Sequence, residues 1–209
     1  MPPKDIQTQA QELKIPQLVH FTRAANLPTI LKHGLYPLSR KDEIGITPLI
    51  NDQLRLDGHL DGTSLSVSFP NFRMFYKYRQ ENPGIEWVVL GIKPSVLWEK
   101  DCAFCCHNAA DNRISEQQLA NLKTLGAFQG MFAEIEGHQT RTEQRLKPFD
   151  PTDSQAEVLV FDIIEPELIF GVIFENAKAL SASKQICGDR DIRVNQAGQG
   201  FFASRSFVR

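Results

Sequence analysis

No run in this chain is long and apolar enough to cross a bilayer as a helix. The most hydrophobic stretches, "WVVLGI" and "LIFGVIF", are strand-sized, whereas a spanning helix needs about 20 apolar residues. The N-terminal "MPPKDIQTQAQELK" is polar and lacks the apolar core of a secretory signal. Cysteine is scarce: of four residues, three crowd into "CAFCC", which gives no disulfide framework and suits a reducing cytoplasm. Positive charge is not in surplus either. The 23 Lys and Arg against 25 Asp and Glu leave a net charge of −2, unlike a protein that coats duplex DNA through many cations. That balance still leaves room for a local basic patch. Internal repeats and low-complexity linkers are missing as well, and the expectation is one cytoplasmic domain with no membrane segment.

What is present is ordinary for a globular protein: 209 residues, 42% hydrophobic and 23% charged, enough for a substantial core. Residues 1–16 read as an N-terminal arm and 17–209 as the domain proper. "QLVHFT" predicts a first strand, and "AANLPTILKHGL" a helix capped by Asn26, with Pro28 early and Gly34 as its stop. Residues 36–63, rich in Asp, Gly and Pro, read as a long functional loop. "TSLSVSF" alternates hydroxyl and apolar residues, a strand with one polar face. "NFRMFYKYRQE" predicts a helix capped by Asn71, and "IEWVVLGIK", "EVLVFDI" and "LIFGVIFE" predict strands. "ISEQQLANLKTLGAF" reads as one helix, with Ser115 and Gln118 at capping-box spacing. Strands outnumber helices, and the class is α+β.

Several groups could carry chemistry, each with a plain structural alternative. His20 ends a strand and precedes a helix, where it could meet a ligand or simply satisfy a local hydrogen bond. Ser64, Ser66 and Ser68 share one predicted strand face, lining a cleft or facing water. Arg55 in the loop could clamp phosphates bidentately or be solvated. Phe72, Phe75, Tyr76 and Tyr78 among Arg73, Lys77 and Arg79 fit a stacking platform, and equally an amphipathic helix burying one stripe. "CAFCCH" hints at metal, but His107, His138 and Cys187 stand without partners at zinc spacing, so buried thiols and no metal are expected. Arg141, Arg145 and Lys147 sit in a polar loop that either presents a substrate or is a solvated excursion. Beyond it, "DPTDSQAEVLVFD" opens an apolar strand with Gln155 and Glu157, which strand alternation puts on one face.

Taken in order, a strand-borne His, a serine-rich strand followed by aromatics, and a late Gln-x-Glu resemble the ADP-ribosyltransferase fold. The resemblance is closer still to the DarT family of DNA ADP-ribosyltransferase toxins. "HFTRAANLPTILKHGL" is similar to that family's opening His-x-Thr, Asn-Leu, Ile-Leu, Gly-Leu signature, and "QAEVLV" to its catalytic strand. The likeness spans roughly residues 17–175. In the middle, "DGHLDGTSLSVSFPNFRMFYKYR" lacks the Pro/Gly-rich segment of the thymidine-modifying branch and looks more like the branch that modifies guanine in single-stranded DNA.

The resemblance implies an ADP-ribosyltransferase-like split β-sandwich core with flanking helices, and NAD+ as co-substrate. It implies Glu157 as the carboxylate on the nicotinamide ribose, with Gln155 steering the acceptor. His20 would bond a ribose hydroxyl, Phe21 and Thr22 would serve the nicotinamide side, Ser66 would line the cofactor cleft, and Phe75 or Tyr76 would stack on nicotinamide. Arg55 matches the family's catalytic loop arginine; Arg141, Arg145 and Lys147 would hold single-stranded DNA. An ADP-ribosyl glycohydrolase antitoxin would be the partner. Two rivals stand beside this reading: a transferase acting on protein or RNA, and a module that binds nucleotide or nucleic acid without chemistry.

Overall fold

A computed structural model describes residues 3–45 and 58–208 of the chain. In chain order the elements are α1 (Pro3–Glu12), β1 (Leu18–Arg23), α2 (Leu27–His33), β2 (Thr63–Val67), α3 (Phe72–Glu81), β3 (Trp87–Ile92), α4 (Val96–Glu99) and β4 (Cys102–Cys105). There follow α5 (Asn112–Ser115), α6 (Leu119–Leu122), α7 (Leu125–Gly130), β5 (Glu157–Val160), β6 (Ile169–Phe174), α8 (Ala177–Ser183), β7 (Asp191–Val194) and α9 (Arg205–Val208).

Every residue of β3 is buried, as a run of Val, Leu and Ile without polar alternation requires of a strand covered on both faces. It lies inside a seven-stranded sheet of order β4-β5-β2-β1-β3-β6-β7. Neighbours are antiparallel except β6 and β7, which run parallel. The ladder is uneven. β1 pairs with β3 along its whole length, from Leu18–Ile92 to Arg23–Trp87, but with β2 only through Leu18–Val67 and Val19–Ser66. Past Val19 the two halves part, leaving β4-β5-β2 on one side of a seam and β1-β3-β6-β7 on the other. This is the split α+β architecture expected from the sequence.

The main core fills one face of the sheet, where Leu18, Leu65, Leu90, Val158 and Phe104 meet Leu27, Ile30 and Leu31 of α2. Ile6 and Ala10 of α1 join that same core, so the segment expected as an arm packs onto the body. The opposite face carries two smaller clusters. One gathers Val19, Trp87 and Val89 under Phe75 of α3; the other gathers Ala103, Cys105 and Leu159 under Ile114 and Leu122.

Local chemistry explains where the expected elements hold. Asn71 caps α3, its side-chain oxygen accepting from the Met74 N–H at 3.2 Å. Gly34 ends α2 with φ of +97°, and a Cβ there would lie 2.4 Å from the Ile164 carbonyl oxygen, so no other residue fits. Asn26 instead turns its amide to the Thr22 hydroxyl at 3.0 Å and makes no cap bond. The single helix expected over 114–128 is broken into α5, α6 and α7. Asp111 and Thr124 accept the capping bonds, while Gln118 is extended and the Ser115 capping box does not form. β4, expected only as buried thiols, is a strand whose Cys102 and Cys105 are indeed buried.

Candidate active site

β5 begins at Glu157, between β4 and β2, with Cys105 as its partner on β4. The last pair with β2 is Leu65–Val158. One step further the register sets Glu157 beside Ser66, itself opposite Val19 on β1. Glu157 therefore stands at the strand mouth, one strand away from the seam, on the face that carries the two smaller clusters. It is only 6% exposed. Its Oε1 accepts from the Asn108 side-chain amide at 3.2 Å and its Oε2 from the Ala109 N–H at 3.0 Å. The antiparallel pairing of β4 with β5 delivers this loop: where the chain leaves β4, residues 108 and 109 arrive beside the carboxylate.

His20 sits where β1 leaves β2. Its Nδ1 lies 3.0 Å from the Ser64 carbonyl oxygen. A carbonyl only accepts, so Nδ1 carries the proton in this bond, and Nε2 is the nitrogen left to accept in that tautomer. The imidazole spans the opening seam in place of a backbone pair. Thr22, on the same side of β1, is buried and its hydroxyl accepts from Asn26. Ser66 accepts from the Asn71 N–H at 3.1 Å, which ties β2 to the start of α3. Ser68 does not continue the serine face. It lies beyond β2 at φ +63°, and its hydroxyl donates to Asp150 at 2.6 Å.

The aromatic residues divide. Phe75 is 1% exposed and its ring stacks on Phe21 at 4.6 Å, with Trp87 and Phe202 around it. That is a correction to its expected place against nicotinamide: the ring is enclosed by protein and supports Phe21 from behind. Tyr76, one residue on, is 60% exposed.

The strand alternation invoked for Gln155 does not reach it, because β5 starts at Glu157 and Gln155 lies in the preceding turn. There its N–H donates to Asp153 Oδ1 at 2.8 Å. Arg141, expected on DNA, is turned inward. Its guanidinium donates to the carbonyls of Asp150, Lys147 and Pro148 and to the Thr152 hydroxyl, at 2.7 to 3.3 Å. Burial lowers its pKa from the usual arginine value. Arg141 therefore builds the loop, whereas Arg145 and Lys147 are exposed on it. Arg55 lies outside the described residues.

Sequence reasoning missed the residues that hold the turn ahead of Glu157. Arg205 in α9 is buried and donates to the carbonyls of Pro151 and Thr152 at 2.7 and 3.2 Å. With Arg141 and Ser68 it grips residues 150–152 just ahead of Gln155. His107 and His138, expected to stand apart, are also brought together: His107 Nδ1 is 2.8 Å from Asp153 Oδ2, and the two imidazole centroids are 5.9 Å apart. The one available signal was proximity along the chain, His107 beside Asn108 and Asp153 just ahead of Gln155.

A sheet parted at its centre, with a buried glutamate opening β5 one strand from the seam, is the arrangement expected of the ADP-ribosyltransferase fold. The family model for ssDNA thymidine ADP-ribosyltransferase, DarT, matches residues 19–201, and the chain belongs to that family. The match runs past the 17–175 span seen in the sequence and takes in most of the C-terminal segment. Among solved structures, Thermus sp. 2.9 DarT in complex with ADP-ribosylated ssDNA superposes with a TM-score of 0.55 at 16% identity, covering 94% of this chain and 97% of that one. The same protein in complex with carba-NAD+ gives 0.53 at 13% identity, over 94% and 99% of the two chains. Thermosipho africanus DarTG in complex with ADP-ribose gives 0.53 at 15% identity over 92% of this chain; the chain spans half the length of that protein. No curated protein matches the chain.

Proposed function

We propose that this ADP-ribosyltransferase moves ADP-ribose from NAD+ onto a base of single-stranded DNA, with Glu157 as the catalytic carboxylate. The observation that carries the reading is the buried Glu157 at the mouth of β5, both oxygens oriented by donors, one strand from a seam in the sheet. In NAD+ the leaving nicotinamide is neutral once its bond to C1′ breaks, so the protein's task is to hold the sugar and stabilise the oxocarbenium cation that develops. Glu157 takes the ribose 2′-hydroxyl and sets negative charge beside that cation. His20 accepts from a second ribose hydroxyl. Phe21 and Thr22 serve the nicotinamide side, and Ser66 lines the wall between them. A base nitrogen then bonds to C1′ and its proton passes to water or a neighbouring acceptor, with Gln155 orienting the base. Arg55 clamps the pyrophosphate or the base as that proton leaves; an arginine, always charged, is a poor proton acceptor.

The acceptor proposed is guanine, on the departure of residues 57–79 from the thymidine-modifying pattern. The family model's own description favours thymidine as the second reading. Arg145 and Lys147 hold the strand, whose unpaired bases need no flipping. A toxin role, with an ADP-ribosyl glycohydrolase antitoxin as partner, belongs to the same proposal and is supported by the likeness to a protein called DarTG.

The test is incubation with NAD+ and single-stranded DNA, duplex, RNA or total protein, followed by mass spectrometry of the digested nucleosides. ADP-ribosylated deoxyguanosine from single strands alone is the expected result. Modified thymidine replaces the acceptor and keeps the rest, whereas label only on protein or RNA, or no nicotinamide release, overturns the reading. Arg55→Lys keeps the charge without the fork, so a large loss of rate identifies bidentate clamping.

A further inference from the structure

We propose that His107, His138 and Asp153 form a binding site for a borderline divalent cation of the zinc class, next to the turn that carries Gln155 and Glu157. One potential ligand atom from each residue lies within 4.8 Å of the other two. Two of the separations share one oxygen: Asp153 Oδ2 is 2.8 Å from His107 Nδ1 and 4.0 Å from His138 Nε2. Ligand atoms on a four-coordinate zinc, each about 2.0 Å from the metal, sit roughly 3.3 Å apart. Binding thus asks for small adjustments: the His107–Asp153 pair opens slightly, and His138, the residue with most room to move, draws in. His138 is exposed and follows Gly137, whose φ is +79°. His107 and Asp153 are buried.

The donor set fits the chemistry. Two imidazoles and one carboxylate, with a fourth position open to water, suit zinc-like cations better than calcium or magnesium, which prefer oxygen. The supporting bond is already made: Asp153 Oδ1 accepts from the Gln155 N–H at 2.8 Å, which leaves Oδ2 turned to the histidines. On binding, the metal takes the lone pair of His107 Nδ1, and the ring's proton moves to Nε2. The cation would tie the 131–153 excursion to His107, one residue from Asn108, and so brace the loops on both sides of Glu157.

The experiment is equilibrium dialysis of the chelator-treated full chain against zinc, with thermal unfolding followed in parallel. Wild type is expected to retain one equivalent and to gain melting temperature with zinc, whichever base the enzyme modifies. His138→Ala, at an exposed position, should fold as wild type yet bind at least about tenfold more weakly and lose the melting shift. His138→Cys, which restores a ligand, should recover both. No uptake by wild type overturns the proposal. Uptake undiminished in His138→Ala overturns it too, because the metal would then be held elsewhere.

Discussion

A carboxylate shut away from water costs several kcal/mol unless donors meet it, and Glu157 has two of them fixed by the fold, the Asn108 amide and the Ala109 N–H. These bonds aim the group as well as satisfy it. Glu157→Gln keeps the shape but leaves one acceptor oxygen for two donors and removes the charge. Transfer should fall by roughly 10²–10³ or more, as when a transition-state electrostatic partner is lost. Stability should drop by only about 1–3 kcal/mol. Nicotinamide release and a melting curve on the same sample separate the two effects, and activity near wild type would remove Glu157 from the mechanism. Asn108→Ala leaves the charge but removes one of these two donors. A loss on the order of tenfold to a hundredfold in kcat, with little change in KM for NAD+, is the signature expected of lost aim.

At the scale of elements, residues 150–157 work as a braced turn feeding a strand. Asp150, Thr152 and Asp153 are all buried and polar, and each bonds to a different part of the chain: Ser68 after β2, Ala133 after α7, and His107 after β4. Arg205 closes the assembly from the C-terminal end through the carbonyls of Pro151 and Thr152. Arg205→Ala strands those carbonyls and should cost roughly 2–3 kcal/mol. For a chain of this size that is a fall of about 4–12 °C in Tm. Arg205→Lys, with one compact ammonium in place of a fork, should recover part of it. Unfolding midpoints of the three proteins decide, and equal midpoints would make the contact incidental. The strands and capped helices around this turn were legible because period-two alternation, β-branching and an Asn cap are local signals. The place of Glu157 at the start of β5 was legible for a similar reason: it is a carboxylate where an apolar strand begins. Its neighbours were not. Asn108, Asp153 and Arg205 act through contacts between residues roughly 50 apart in sequence, and no local pattern reports such pairing. The same limit explains Phe75 and Arg141, whose types suit a ligand surface but which the fold turns inward.

Over the whole molecule, the net charge of −2 and the inward turn of Arg141 set how nucleic acid can be held. A long footprint on duplex DNA would need many outward cations, whereas a short strand crossing one edge of the sheet needs few. The exposed Arg145 and Lys147, on the loop whose far end becomes β5, supply charge close to Glu157 along the chain. For single strands, each phosphate neutralised contributes about 0.7 to the slope of log affinity against log salt. Arg145→Gln and Lys147→Gln should therefore each flatten that slope by about 0.7 and weaken binding for every sequence alike. Arg141→Gln should behave differently: its guanidinium holds loop carbonyls, so the variant should lower Tm and activity while a folded sample keeps the wild-type slope. Salt titrations of a fluorescent oligonucleotide with the three variants separate charge presented to the strand from charge used to build the loop. A slope unchanged in both Arg145→Gln and Lys147→Gln would move the DNA path to another face of the sheet.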